Sequence, residues 1–343
     1  MKKQILLFLP YLFFSACVKD KPATSLQTAV PLSVSKKVYT INEGAFPSGN
    51  ASISFYDPGT GQVIQDIYAT ENNNAAVGDV AQDLAWINNS FYLVVNNSGK
   101  ILVCDNQFKK TAQINNLSSP RYILQITNEK AYVSDYNANA LSIVDLSNNL
   151  KTGSIPCAGW TEKMILIYNK VFVTNVRKNY VYVINTISDA IADSIYVGLN
   201  SQDIVLDKQD QIWVLSGGDQ PNSVPAKLWR INSLTNQVKS SLAFGASDAP
   251  GNLCLNKTKD TLYYLNNGVC RLSITDTHLP AAPLVAAGSK NFYGLDINPN
   301  DYSIYAADAL DYDQRANIYI YDAMGNQKSV FKAGINTNGF YFE

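Results

Sequence analysis

Histidine is almost missing from this 343-residue chain: there is one, His278. That single residue excludes multi-histidine metal centres, and, placed in the turn-like stretch THLP, it is expected to be a surface residue outside any His-based nucleophilic triad. Charge is sparse as well, at 16% of residues, with 27 basic against 28 acidic side chains and no basic cluster. Without such a cluster there is no electrostatic footprint for nucleic acid, so nucleic-acid binding is not expected. No apolar run is long enough to span a bilayer. Cysteine is limited to five residues, of which Cys104, Cys157, Cys254 and Cys270 show neither paired nor metal-like spacing. Buried free thiols are the simplest reading of those four. Catalysis needs positioned acids, bases, nucleophiles or metals, and the sequence offers no such constellation, so the expectation is a protein without enzymatic activity and without a cofactor.

What is present is tyrosine, 21 residues of it, within a 46% hydrophobic composition. Aromatic and β-branched residues suit pleated surfaces, while Asn and Gly suit turns. Seven segments share an apolar residue followed by an aromatic: Val38-Tyr39, Phe91-Tyr92, Ala131-Tyr132, Val171-Phe172, Ile212-Trp213, Leu262-Tyr263 and Ile304-Tyr305. The aromatics are 53, 40, 40, 41, 50 and 42 residues apart. A period near 40 with several strands per repeat is the signature of a β-propeller. After each aromatic comes a second strand ending in Asp, Asn or Ser, at Asp57, Asp105, Asp145, Asn185, Asn232, Ser273 and Asp322. Such side chains accept hydrogen bonds from the backbone two residues on and so open turns. Stretches such as LSIVD and IYIYD are apolar on both faces, as a strand sandwiched between neighbouring blades must be.

An inner strand precedes each aromatic strand except the first. The chain instead ends on Asn338-Gly339-Phe340-Tyr341-Phe342, an inner strand with nothing following it. The expected fold is therefore all-β: a seven-bladed β-propeller over residues 36–343, its ring closed by the C-terminal strand completing blade 1. Phe340 and Phe342 are both expected to be buried by that closure.

The distance from the blade aromatic to the turn residue is 13 in blades 2, 3 and 4 but 18, 19 and 17 in blades 1, 5 and 7. The extra residues form the loops 42–50, 216–227 and 307–317, and a further long connection, 69–80, joins blades 1 and 2. All four emerge on one face, and insertions on rigid scaffolds concentrate where binding happens. That face offers Phe46, Asn50, Asn74, Tyr122, Tyr136, Trp160, Arg177, Tyr180, Phe292, Tyr293, Tyr312 and Arg315 as candidate ligand-binding residues, with Arg121 beside them. Individually, several of these aromatics are as well explained by sealing loops onto the core. His278 is expected on the opposite, plain face. Asp308, Asp311 and Asp313 share one loop and are read as solvated carboxylates in preference to a cation site.

Strings such as KAYVSDYNANALSIVDLSNN and KVFVTNVRKNYVYVINT resemble YVTN-type repeat propellers. At the other end of the chain, MKKQILLFLPYLFFSAC combines two lysines, a ten-residue apolar stretch from Ile5 to Phe14 and the small pair Ser15-Ala16 before Cys17. This is the pattern of a secretory signal, residues 1–16, and it resembles the bacterial lipoprotein box, which implies lipidation of Cys17 and export to the outer membrane. Cleavage would remove Lys2 and Lys3, leaving 25 basic against 28 acidic residues, a net charge of −3. Residues 17–35 are polar, Pro-containing and aperiodic, as expected of a flexible tether.

The segments VYTINEGAFPSGNASISFYDPGTGQV (38–63), GDVAQDL (78–84) and FYLVVNNSGKI (91–101) are similar to the surface lipoprotein propellers of Bacteroidota. Some of these capture corrinoids (vitamin B12) above a TonB-dependent transporter. The resemblance implies a surface-exposed, monomeric ligand-binding lipoprotein with a transporter as partner. The same face would also suit a protein, peptide or glycan, and a lactonase- or lyase-type hydrolase is the remaining alternative.

Overall fold

The computed structural model describes residues 37–343, so the signal sequence, Cys17 and the tether lie outside the described residues. Seven four-stranded antiparallel sheets account for the described chain. Six are simple meanders. The seventh has the order expected for ring closure: the C-terminal strand Thr337–Phe342 lies inside Val38–Asn42, which pairs with Ser52–Tyr56 and then Val63–Ile64. The protein is a seven-bladed β-propeller.

The closure is specified in detail. Val38 faces Phe342, Tyr39 faces Tyr341 and Thr40 faces Phe340 across the antiparallel pair. Buried Asn42 accepts from Thr337 Oγ1 at 2.6 Å and donates to Ser54 Oγ at 3.0 Å, so one amide joins both ends of the chain. At the strand end, Lys37 and Glu343 form an ion pair at 3.0 Å. Phe340 is buried at 7% exposure and packs on Tyr305. Phe342 corrects the expectation: its ring shares the face of Phe340 and stacks on it, but it stands at the end of the strand where the channel opens, and it is only half-buried.

Each blade's turn residue does what its chemistry requires. Asp57, Asp105, Asp145, Asn185, Asn232, Ser273 and Asp322 each accept from the backbone N–H two residues on, at 2.8 to 3.3 Å. Their strands are sandwiched: Leu141, Val144, Val181, Val183 and Leu228 are all fully buried. Cys104, Cys157 and Cys270 are buried free thiols, whereas Cys254 is only partly buried and borders the central channel. Arg230 lies over the Trp213 ring and donates to Gln209, and Arg271 donates to the Ala323 carbonyl.

The long connections share one face. Loops 42–50 and 307–317 join the second and third strands of blades 1 and 7, and 69–80 joins the outer strand of blade 1 to the inner strand of blade 2. They are stitched together: the Asn336 amide donates to the carbonyls of both Gly44 and Tyr312, and Ala51 N–H donates to the Gly78 carbonyl. Gly44 has a φ of +83°, and a Cβ there would collide with Asn50, so the tight return of loop 42–50 requires glycine. His278 is exposed in the connection between Gly268–Ser273 and Val285–Ala286, a turn of the opposite, plain face.

Candidate functional site

The inner strands ring a central channel, and each carries a β-bulge near its loop-face end. The register slips between Ala81 and Asp83, Pro120 and Ile123, Thr161 and Met164, Ser201 and Asp203, Gly251 and Cys254, and Phe292 and Gly294. In the closing strand the slip falls opposite Ile41/Asn42. A bulge leaves one residue outside the ladder and re-aims its side chain. The residues so released are Gln82, Arg121, Glu162, Gln202, Asn252, Tyr293 and Asn338, one per blade, and all seven line a single funnel of about 300 Å³. A second layer beneath them contributes Asp83, Tyr122, Lys163 and Asp203, and Glu43 leans in from loop 42–50.

The ring is held by charge-assisted hydrogen bonds. Arg121 donates through Nε and Nη2 to both carboxylate oxygens of Glu162, at 2.6 to 3.1 Å, and through Nη1 to Gln82 Oε1. Trp160 Nε1–H donates to the same carboxylate at 2.5 Å, and the Arg121 guanidinium lies 5.5 Å from the Trp160 ring centroid. Across the funnel, Glu43 accepts from Tyr293 Oη and Asn338 Nδ2, both at 2.8 Å. Lys163 donates to Asp203 at 2.6 Å and lies 5.7 Å from the Tyr122 ring centroid. Three polar groups keep unused hydrogen-bonding capacity. Asn338 Oδ1 is buried without a hydrogen-bond partner, Asn252 donates to the Tyr293 carbonyl but leaves its own oxygen free, and the Gln202 amide is exposed.

Five carboxylates (Glu43, Asp83, Glu162, Asp203 and Asp296) share the funnel with two cations, Arg121 and Lys163. Burial pushes the Asp83 and Asp296 carboxyls up to about 6, only partly offset by backbone N–H donors and the Lys163 charge. Burial also raises Glu43, against the pull of its Asn338 and Tyr293 donors. Burial works against the Lys163 charge, but Asp203 outweighs it and the ammonium is held above its ordinary range. Burial raises the Cys254 thiol well above its usual value. A protonated lysine and a protonated thiol are poor nucleophiles. The funnel offers hydrogen bonding, together with two carboxyls, Asp83 and Asp296, that burial raises to about 6. Among the described residues, no three His, Cys, Asp or Glu side chains form a group able to hold a metal.

The residues singled out from sequence divide into three groups. Tyr122 and Tyr293 line the funnel, and Tyr312 packs edge-on against Tyr293 with centroids 5.7 Å apart. Tyr136, Trp160 and Arg177 form a second group at the mouth over blades 3 and 4. The Arg177 guanidinium lies 4.7 Å from the Tyr136 centroid, and the two rings are 4.3 Å apart. The rest stand apart. Phe46 is 69% exposed at its loop tip, Tyr180 is 41% exposed, and Asn74 and Arg315 are exposed. Asn50 accepts from Ala45 N–H and shapes its own loop. Phe292 packs edge-on against Tyr319. Asp311 and Asp313 are exposed, as expected, and Asp311 accepts from the Gln314 N–H, but Asp308 corrects the expectation: it is buried at the end of its strand, where it accepts from the N–H groups of Asn291 and Leu310.

Sequence reasoning missed Glu43, Gln82, Asp83, Glu162, Lys163, Gln202, Asp203, Asn252, Asp296 and Asn338. A faint signal was available: the seven ring residues recur 39 to 50 positions apart, each directly after the first residue of an inner strand or one of its neighbours.

Residues 36–343 match, as one unit, the family model described as a domain of unknown function, DUF5074. The chain belongs to the DUF5074 family. No curated protein matches the sequence. Solved structures show the fold of this DUF5074 propeller in distant company. A quinoprotein alcohol dehydrogenase-like protein from Bacteroides thetaiotaomicron superposes with a TM-score of 0.70 at 14% identity, over 89% of this chain and 77% of that one. A functionally unknown protein from Desulfotomaculum acetoxidans gives 0.66 at 12% identity, over 89% and 98%. The β-propeller domain of Cps50 (Swd1) from Myceliophteria thermophila gives 0.62 at 10%, over 80% and 91%. At such identities the likeness concerns the fold alone, which hosts many activities.

Proposed function

We propose that this DUF5074 propeller is a ligand-capture protein whose ligand sits over the funnel on the long-loop face. The carrying observation is the ring of seven bulge-released side chains, four of them amides, opening beneath the stitched wall of loops 42–50, 69–80 and 307–317. A polar ring of this kind recognises a ligand through many directed hydrogen bonds, which is how specificity is set in small-molecule sites. A corrinoid, broad and fringed with amides, is the ligand class that the resemblance of residues 38–101 favours. The amides of Gln202, Asn252 and Asn338 would pair with its amide fringe, and Tyr312 and Phe46 would flank it. Delivery to a TonB-dependent transporter and lipid anchoring through Cys17 complete this reading.

Gel filtration with cyanocobalamin, followed by its visible absorbance, tests the ligand class. Co-elution with the protein at micromolar concentration is expected, and free elution of the dye would remove the corrinoid. A glycan is the second reading, favoured by the exposed Tyr180 and Tyr196 beside the half-buried Trp229, an aromatic row whose neighbouring centroids are 6.0 and 6.2 Å apart. Rings of this kind offer apolar faces with a polar edge.

A further inference from the structure

The channel's other mouth, on the plain face, is chemically the reverse of the funnel. Its cavity of about 660 Å³ is walled by aliphatic side chains from the far ends of the inner strands, among them Met164, Ile165, Val205, Leu206 and Leu255. Most of these are only partly buried, so an apolar well is left open to solvent. The volume lies within the range of about 300–1,000 Å³ common to small-molecule sites. On the blade 6 rim stand Lys257 and Lys259, exposed and with no side-chain partner among the described residues. The nearby acid on that turn, Asp260, is taken by Lys208 at 3.1 Å. Asp296 marks the floor where the well meets the funnel, since it borders both cavities.

We propose that this mouth binds one amphipathic anion, a medium-chain alkyl carboxylate. Its chain would lie on the aliphatic wall and its head group on Lys257 and Lys259. The apolar wall removes alkyl surface from water, and the two lysines select the charge of the head. A cationic amphiphile would meet those lysines at the rim and Asp296 only at the floor. A neutral one would gain the wall alone.

Calorimetry below micellar concentration, with decanoate, decanol and decyltrimethylammonium, separates these cases. Decanoate is expected to bind the wild-type chain most tightly. The Lys257→Glu/Lys259→Glu double variant is expected to lose roughly tenfold in decanoate affinity while decanol is unchanged, since each exposed pair contributes only about 0.2–1 kcal/mol and tenfold corresponds to about 1.4 kcal/mol. Absence of decanoate binding, equal binding of decanoate and decanol, or a double variant that binds decanoate as before would each overturn the proposal. Both substitutions are on exposed turn positions, so thermal unfolding of the variant serves as the folding control. Because the site is on the face opposite the funnel, its failure leaves the capture reading untouched, and the reverse also holds.

Discussion

Asp66 shows how much one buried carboxyl can impose on its surroundings. It caps the five-residue helix Ile67–Glu71 by accepting from Ala69 N–H at 3.0 Å, and that helix leads into loop 69–80. Its second oxygen is buried without a partner, and burial pushes the carboxyl up to about 7 against the help of backbone donors and Arg315. Because the folded value lies above the unfolded one, the proton is held more tightly in the native state. The fold therefore carries no ionisation penalty below about pH 4, loses stability as pH rises toward 7, and stays at that lower level above it. Asn caps as well as Asp. Asp66→Asn is expected to raise stability at pH 8 by on the order of 2–4 kcal/mol, with the difference from wild type vanishing near pH 4. Thermal unfolding across that range measures it, and a difference independent of pH would be contrary. Nothing in the sequence marks Asp66, since an Asp before a short apolar run reads as an ordinary cap.

The repeated strands were far easier to read. Tyr39, Tyr132 and Tyr305 sit at equivalent places because each blade needs a large flat side chain against its neighbour, and all three are buried. Asp145 and Asn185 open turns by a hydrogen bond local in sequence, so spacing alone exposes them. The seven inner-strand bulges were not legible. They break the two-residue alternation on which strand reading depends, and a Gln82 or Glu162 beside a turn looks like loop chemistry. The closing strand was legible because Phe340 and its neighbours lack a following partner in sequence. Phe340→Ala is expected to cost about 3–5 kcal/mol, the usual penalty for truncating a buried Phe. Denaturant unfolding checks this. A change below about 1 kcal/mol would mean that the site collapses around the loss or that the strand contributes little to closure.

Taken as a ring, the propeller has two unlike faces and a direction. The described chain enters at Lys37, beside Glu343, on the plain face. A chain anchored at Cys17 would be held through its plain-face edge, which leaves the long-loop face unattached. Cys17→Ala is expected to release a folded propeller into the soluble fraction, and retention with the membranes would argue against the anchor. The loop face was legible from insertion lengths in blades 1, 5 and 7. The funnel at its centre was not, because it is built by seven residues that are never neighbours in sequence.

The most direct measurement is titration calorimetry of the 36–343 domain with cyanocobalamin, comparing wild type with Gln202→Ala/Asn338→Ala and with Phe46→Ala/Tyr312→Ala. Micromolar binding is expected in wild type, changing little with salt because few charges take part. The funnel pair is expected to weaken it by about 5- to 150-fold, a loss of two hydrogen bonds at about 0.5–1.5 kcal/mol each, and the loop pair to weaken it less. Absence of binding, or wild-type affinity in the funnel pair, would contradict capture at the funnel.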